Sequence, residues 1–126
     1  MPTDPEEPAP RPELSAAVLG VVALGGGIGG LGRYALSGFG LAGTVAVNLL
    51  GSALIGVLVV LAPRLHPLAR PFLGIGVLGG FTTFSAYALD AVRLGGFAAF
   101  GYLLGVLVAA LCATAAAMAV TRRVVG

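Results

Sequence analysis

The chain has 126 residues, of which 58% are hydrophobic and only 10% charged, and its mean hydropathy is +1.04. A soluble domain typically carries about 25% charged residues, so the composition excludes a water-soluble globular protein and indicates that most of the surface faces lipid. The net charge is +2, and the seven basic residues are all scattered arginines, without the basic stripe that nucleic-acid binding requires.

The first residues, 1–13, are rich in proline and acidic side chains. They lack the basic region that opens a signal peptide, and the apolar run after them is too long for the core of one. The sequence therefore predicts a disordered N-terminal tail over 1–13 and one transmembrane domain over 14–126.

Four apolar segments follow in chain order, at about 14–36, 41–61, 71–94 and 97–120. Each has about 20 residues or more, which lets an α-helix cross a hydrocarbon core of ~30 Å. The alternation of polar and apolar residues typical of spanning β-strands does not occur. We therefore predict an all-α membrane protein with four transmembrane helices joined by short connections.

The arginines predict the orientation of these helices. Four spans place both termini and the connection between the second and third helices on one side of the membrane. The arginines on that side are Arg11, Arg64, Arg70, Arg122 and Arg123. Only Arg33 and Arg93 lie opposite, and by the positive-inside rule this bias favours cytoplasmic termini.

Several of the 21 glycines recur at the small-xxx-small spacing that lets two helices approach closely. The pairs are Gly25/Gly29, Gly26/Gly30, Gly76/Gly80 and Gly101/Gly105. The stretch 25–30 also matches the dinucleotide pattern G-x-G-x-x-G, but it lies inside a predicted span and no acidic residue follows at the required distance. We interpret these glycines as packing positions. Since four helices are too few to enclose a pore, the sequence also predicts an oligomer.

Polar residues inside the predicted spans are informative, because each costs free energy in lipid unless it meets a partner or a cavity. Asn48 and Ser52 lie one turn apart on the second helix, and a polar cluster occupies 82–85 of the third. The run Gly79-Gly80-Phe81-Thr82-Thr83 is a poor continuous helix, since each glycine costs about 1 kcal/mol relative to alanine. It predicts a third helix broken within the membrane, whose freed carbonyls suit a small cation.

Three separate motifs resemble the Fluc/CrcB fluoride channel family. They are Gly29-Gly30-Leu31-Gly32-Arg33-Tyr34, Gly43-Thr44-Val45-Ala46-Val47-Asn48 and Gly79-Gly80-Phe81-Thr82-Thr83-Phe84-Ser85. The resemblance covers all four predicted helices, about 14–120. It implies an antiparallel dimer of the dual-topology type with two narrow pores. It also implies passive export of fluoride across a bacterial cell membrane, which lowers the cytoplasmic fluoride concentration.

The resemblance also implies roles for individual residues. A structural sodium ion at the dimer centre, which is not transported, would be bound by the backbone carbonyls of Gly79 and Thr82. The fluoride path would involve Asn48, Thr83, Phe84, Ser85, Tyr87 and Tyr102. Arg33 would attract anions into a vestibule. The residue types suit these roles, because amide and hydroxyl groups donate hydrogen bonds and aromatic rings are positive at their edges.

Two positions depart from the family pattern. Tyr87 stands where the family commonly has phenylalanine, and Ala86 stands where it usually has threonine or serine. Asp90 matches an acidic position of the family, and its spacing from Arg93 predicts a structural ion pair between them.

The sequence disfavours two other classes of membrane protein. A small multidrug exporter needs an acidic residue within the membrane, and 14–36 contains none. One subunit of a heterodimeric fluoride channel stays open as an alternative. A non-catalytic membrane subunit predicts no polar track, although one is present.

An enzyme is the least favoured class, because the spans contain no histidine, paired acids or cluster of metal ligands. His66 lies between prolines in a connection and is interpreted as solvated. Cys112 is the only cysteine and lies in an apolar run, which excludes a disulfide framework and predicts a buried thiol.

Overall fold

The structure, a computed structural model, describes residues 15–126, and the predicted tail over 1–13 lies outside them. Helices account for all the regular structure of the described residues. In chain order they are α1 (Ala16–Leu36), α2 (Gly40–Leu61), the π-helix π1 (Arg70–Leu78), α3 (Gly79–Phe81), α4 (Ser85–Leu94) and α5 (Gly96–Val125). Short 3₁₀ turns, Ser37–Phe39 and Ala62–Arg64, follow α1 and α2.

The ends of the helices follow from local chemistry. Ser15 caps α1, because its hydroxyl oxygen accepts the N–H of Val18 at 3.2 Å. Gly40 has a φ of 60° at the start of α2, and Gly95 and Gly96 have φ of 66° and 56° between α4 and α5. Side chains disfavour this left-handed region, so glycine lets the chain turn at both places.

Glycines bring α1 against π1 and α3. A Cβ built on Gly25 would overlap the carbonyl oxygen of Phe72. One built on Gly29 would overlap the carbonyl oxygen of Val77 and lie 2.8 Å from the nitrogen of Phe81. The contacts advance along both segments together, so α1 runs parallel to π1 and α3.

Helix α2 runs in the opposite direction beside the same segment. A Cβ built on Gly74 would lie 3.1 Å from the side chain of Leu58, whereas one built on Gly51 would overlap the methyl group of Thr82. Moving forward along π1 and α3 therefore means moving backward along α2. As a result α1 and α2 are antiparallel to each other.

The predicted pairs Gly25/Gly29 and Gly76/Gly80 face each other where α1 packs against π1 and α3. A Cβ built on Gly76 would lie 3.0 Å from the Cα of Gly25, and one built on Gly80 would overlap the backbone of α1. Within the described residues a Cβ on Gly101 or Gly105 would meet nothing within 4 Å, so the close approach predicted there does not occur within one chain.

Helix α5 packs against α2 and α4 and leaves its remaining surface open. The Thr114 hydroxyl donates to the Ser52 carbonyl at 2.8 Å and joins α5 to α2. No residue of α5 is buried. For this reason Cys112 is exposed, contrary to the prediction of a buried thiol.

Among residues 15–126, three stretches are long and apolar enough to cross a membrane, namely Ala16–Arg64, Arg70–Leu94 and Gly96–Val125, with mean hydropathies of 2.5, 1.5 and 2.4. The first stretch contains both α1 and α2. The all-helical membrane class predicted from the sequence is therefore confirmed.

The second stretch, Arg70–Leu94, is interrupted between α3 and α4, where residues 82–84 leave the helix. A break was predicted here, but Gly79 and Gly80 stay helical, and the extended backbone begins at Thr82 (φ −79°, ψ 156°). The close packing of α1 on this turn outweighs the low helix propensity of the two glycines. The π-helical start was not predicted; there the Gly79 N–H donates to the carbonyl of Gly74.

Candidate functional site

The break begins at the C-terminal end of α3, where the backbone N–H groups after Thr82 no longer donate to helical carbonyls. Thr82 makes the last helical bond, from its N–H to the Leu78 carbonyl at 3.0 Å, and its hydroxyl donates to the same carbonyl at 3.0 Å. Its extended ψ then turns the chain out of the helix. Helix α4 begins three residues later, at Ser85.

Asn48 of α2 holds the break with both ends of its amide. Its Nδ2 donates to the Thr83 carbonyl at 2.9 Å, and its Oδ1 accepts the Thr83 N–H at 2.9 Å. One turn later the Ser52 hydroxyl donates to the Asn48 carbonyl at 2.7 Å. Since the Nδ2 group carries two hydrogens, one donor of Asn48 stays available.

The Thr83 side chain is fixed as firmly as its backbone. Its Oγ1 accepts the N–H of Ala86 at 3.2 Å and lies 3.3 Å from the Ser85 hydroxyl oxygen. Thr83 is the only polar residue that is buried among those described, with 9% of its surface exposed. The adjoining side chain, Phe84, is 77% exposed.

Two cavities meet at Thr83. The first, the break cavity, has a volume of about 440 Å³ and includes Asn48, Gly79, Thr82, Phe84 and Tyr87 in its lining. The second, the arginine cavity, has a volume of about 340 Å³. Thr83 is the one residue that lines both, so it separates the two spaces.

Three of the predicted aromatic residues form a row beside the break cavity. The ring centroids of Phe84 and Tyr87 are 5.9 Å apart, and those of Tyr87 and Tyr102 are 5.3 Å apart. The Tyr87 hydroxyl donates to the carbonyl of Leu103. The extra hydroxyl at this position is therefore used in the contact between α4 and α5. The Tyr102 hydroxyl is buried and has no hydrogen-bond partner within residues 15–126.

Arg33 lines the arginine cavity together with Arg93 and Asp90. Asp90 Oδ2 is buried and has no partner in the described part of the chain, so this atom does not form the predicted pairing with Arg93. Neither Arg93 nor Asp90 was among the predicted site residues. The distribution of arginines contained a signal for Arg93, however, because Arg33 and Arg93 are the two arginines predicted to lie opposite the other five.

The site offers neutral donors, exposed aromatic edges and no charged side chain in the lining of the break cavity. No group of three or more potential metal-ligating His, Cys, Asp or Glu side chains occurs among residues 15–126. Of the two cavities, only the arginine cavity has charged side chains in its lining. Fold and site together define a class: a helical membrane protein with a cavity free of charged side chains next to a helix break.

The comparisons with known proteins identify the family within that class. The model of the family described as CrcB-like protein, Camphor Resistance (CrcB), matches residues 20–118. The chain therefore belongs to the CrcB family, which confirms the resemblance found in the sequence.

Curated relatives agree with this assignment. A Fluoride-specific ion channel FluC 2 from Nocardia farcinica is 44% identical over 118 residues, which cover 82% of this chain and 84% of the relative. A Fluoride-specific ion channel FluC from Agrobacterium fabrum is 44% identical over 119 residues, covering 82% and 95%. A FluC 2 of the same description from Streptomyces avermitilis is 51% identical over 90 residues, covering 63% of this chain and 56% of that protein.

Proposed function

We propose that the chain is a fluoride-specific ion channel of the bacterial cell membrane, which lets fluoride leave the cytoplasm passively. Family membership and the names of the relatives support this function. The observation that carries it is the Asn48 amide bonded to Thr83 beside the exposed Phe84, since this places neutral donors and an aromatic edge next to one cavity.

The chemistry of fluoride explains why such a path is neutral. A pore must replace the water around a small, strongly hydrated anion with hydrogen-bond donors. It must also release the ion, and a full positive charge in the narrow part would trap it. We assign the donors to Asn48, Thr83, Ser85 and Tyr102, and the aromatic edges to Phe84 and Tyr87. These are six residues that share the region around the break.

Arg33 provides the vestibule in this proposal. Arg33 lines the arginine cavity and not the break cavity. At the arginine cavity its positive charge raises the local anion concentration without binding the ion in the narrow part. Arg93 adds a second positive charge at the same cavity, and Asp90 offsets one of the two.

We infer that the chain crosses the membrane four times and works as an antiparallel dimer. The antiparallel arrangement of α1 and α2 supports two crossings for the stretch Ala16–Arg64. Two features support a second subunit: Phe84 is 77% exposed, and no residue of α5 is buried. A second copy packed on this face would cover them and close the path.

A structural sodium ion belongs to the proposed assembly. The carbonyls of Gly79 and Thr82 fit it, because both residues line the break cavity and neither carbonyl accepts a hydrogen bond within residues 15–126. Neutral carbonyl oxygens at a helix break are ligands that sodium takes in membrane proteins. Bound there, the ion would supply a positive charge that holds two breaks together.

Fluoride efflux from liposomes tests the function. Vesicles loaded with potassium fluoride and containing the purified protein should release fluoride when valinomycin lets potassium follow, as read by a fluoride electrode. Vesicles loaded with potassium chloride serve as the selectivity control and should release little chloride. Fluoride release no faster than from protein-free vesicles would refute the proposal for the homomeric protein.

A small multidrug exporter is the competing function, and the structure offers it no support. Helix α1 (Ala16–Leu36) contains no acidic residue for proton coupling. In the liposome assay an exporter would require a proton gradient, whereas the proposed channel runs on the fluoride gradient alone.

A further inference from the structure

The carbonyls of Gly79 and Thr82 accept no hydrogen bond within residues 15–126, because the N–H groups that would reach them in a helix donate to side chains. In a continuous α-helix the Thr83 N–H donates to the Gly79 carbonyl, and the Ala86 N–H to the Thr82 carbonyl. Here the Thr83 N–H donates to Asn48 Oδ1 at 2.9 Å instead. The Ala86 N–H donates to Thr83 Oγ1 at 3.2 Å.

The two N–H groups that donate to side chains are those that would bond, in a continuous helix, to the carbonyls of Gly79 and Thr82. The extended ψ of 156° at Thr82 also turns its carbonyl away from the axis of α3. A carbonyl without a partner costs free energy away from water, so these two oxygens need a cation or water in the cavity that they line.

Resting on the proposed channel and its sodium ion, we propose that Asn48 and Thr83 are positioning residues of the cation site. Their side-chain oxygens capture the two N–H groups that would otherwise occupy the cation ligands. Neither side chain needs to touch the ion. One chain supplies two carbonyls, so the site is incomplete until a second copy adds its own pair.

The inference links the cation site to the anion path through single residues. Asn48 Oδ1 accepts the Thr83 N–H and so leaves the Gly79 carbonyl free, while Asn48 Nδ2 donates to the Thr83 carbonyl. Thr83 frees the other ligand because its Oγ1 accepts the Ala86 N–H, and the same oxygen lies 3.3 Å from the Ser85 hydroxyl oxygen, where either hydroxyl can be the donor. A variant that keeps the acceptor oxygen but loses the donor should therefore keep sodium binding and lose fluoride flow.

Thermal unfolding of the purified full-length protein, titrated with sodium chloride against potassium chloride at constant ionic strength, measures the cation site without any flux. Thr83→Val removes the acceptor but keeps the shape, and should raise the half-saturating sodium concentration about tenfold or more, which corresponds to about 1.4 kcal/mol. Thr83→Ser keeps the acceptor and should stay within about twofold of the wild type, since RT ln 2 is only about 0.4 kcal/mol.

A matched control is available on α5. The Thr121 hydroxyl donates to the Ala117 carbonyl at 2.6 Å, and Thr121 lines neither cavity. Thr121→Val therefore makes the same chemical change away from the break and should leave the sodium response unaltered. An equal loss in Thr121→Val and Thr83→Val would overturn the assignment to Thr83.

Asn48 gives an independent pair of variants. Asn48→Ala removes the acceptor for the Thr83 N–H and should weaken the sodium response as Thr83→Val does. Asn48→Asp keeps an acceptor oxygen for the Thr83 N–H but sets a carboxylate oxygen against the Thr83 carbonyl, so it should keep more of the sodium response than Asn48→Ala does. An unchanged half-saturating sodium concentration in a folded Asn48→Ala protein would overturn the inference.

Hydrogen exchange on the wild-type protein covers the case in which a variant fails to fold. The amides of Thr83 and Ala86 should be protected, because both donate to side-chain oxygens; fast exchange at both would contradict the inference. Fluoride efflux without any sodium response would also overturn it while leaving the channel function intact. Absence of efflux alongside the expected sodium response would instead count against the channel.

Discussion

Asn48 bonds to one residue of the helix break through both its amide nitrogen and its amide oxygen, a double contact that its sequence context does not predict. A polar residue within a span predicts a partner or a cavity, and here Asn48 has both. It binds the backbone of Thr83 at two points of 2.9 Å and lines the break cavity. Its amide therefore holds the backbone of the break and keeps one N–H free for the proposed fluoride path.

Replacing Asn48 by aspartate tests the donor. Asn48→Asp keeps an oxygen for the Thr83 N–H but sets a carboxylate oxygen against the Thr83 carbonyl and puts a negative charge on an anion path. Fluoride efflux should fall by about a hundredfold or more, since like charges at close range cost several kcal/mol. Wild-type efflux from this variant would remove Asn48 from the path.

The hydrogen-bond partner of the Tyr87 hydroxyl could not be predicted from the sequence. The departure from phenylalanine left the fate of the hydroxyl open, because a pattern does not say which way a side chain points. The structure directs the hydroxyl to the Leu103 carbonyl on α5. The ring keeps its place between Phe84 and Tyr102, at 5.9 Å and 5.3 Å.

Among the helices, glycine packing decides where the broken element lies. The small-xxx-small spacing predicted close approach without naming partners, and the structure pairs α1 with π1 and α3 while leaving α5 open. The same packing keeps Gly79 and Gly80 helical. The break therefore falls at Thr82, where Asn48 and Thr83 provide alternative hydrogen bonds.

A pair of alanine substitutions tests this packing. Gly29→Ala should destabilise the protein by about 1–3 kcal/mol, since its Cβ would overlap the backbone at Val77. Gly101→Ala is the matched control and should be neutral or slightly stabilising, because its Cβ meets nothing within 4 Å. Thermal unfolding of both variants measures the difference. Equal melting temperatures would contradict the assigned interface.

At the scale of the whole molecule, two exposed features favour the proposed dimer. Phe84 lies exposed at the break cavity, and α5 buries no residue. An antiparallel dimer requires both orientations in the membrane, whereas the distribution of arginines, five against two, favours one. The two requirements agree only if the bias is too weak to fix the orientation, or if an oppositely oriented homologue completes a heterodimer.

Labelling a C-terminal tag decides between these assemblies. We expect the tag on both faces of the membrane, because the arginines are few and Arg33 lies within α1. Accessibility of the tag in intact cells and in inverted vesicles measures this. A tag on one face only would contradict the antiparallel homodimer and favour a heterodimeric channel.

The sequence by itself determined the membrane class, the family and the region of the site. Composition and span length depend only on transfer to lipid, and the motifs at Asn48 and Thr82–Ser85 are local. Only the tertiary structure decided that Asn48 hydrogen-bonds to the backbone of Thr83 and that Thr83 separates two cavities. It also decided that Arg93 and Asp90 line the same cavity as Arg33. These facts depend on contacts between residues far apart in the chain, such as Asn48 and Thr83. Such contacts are set by how closely glycine faces let the helices approach.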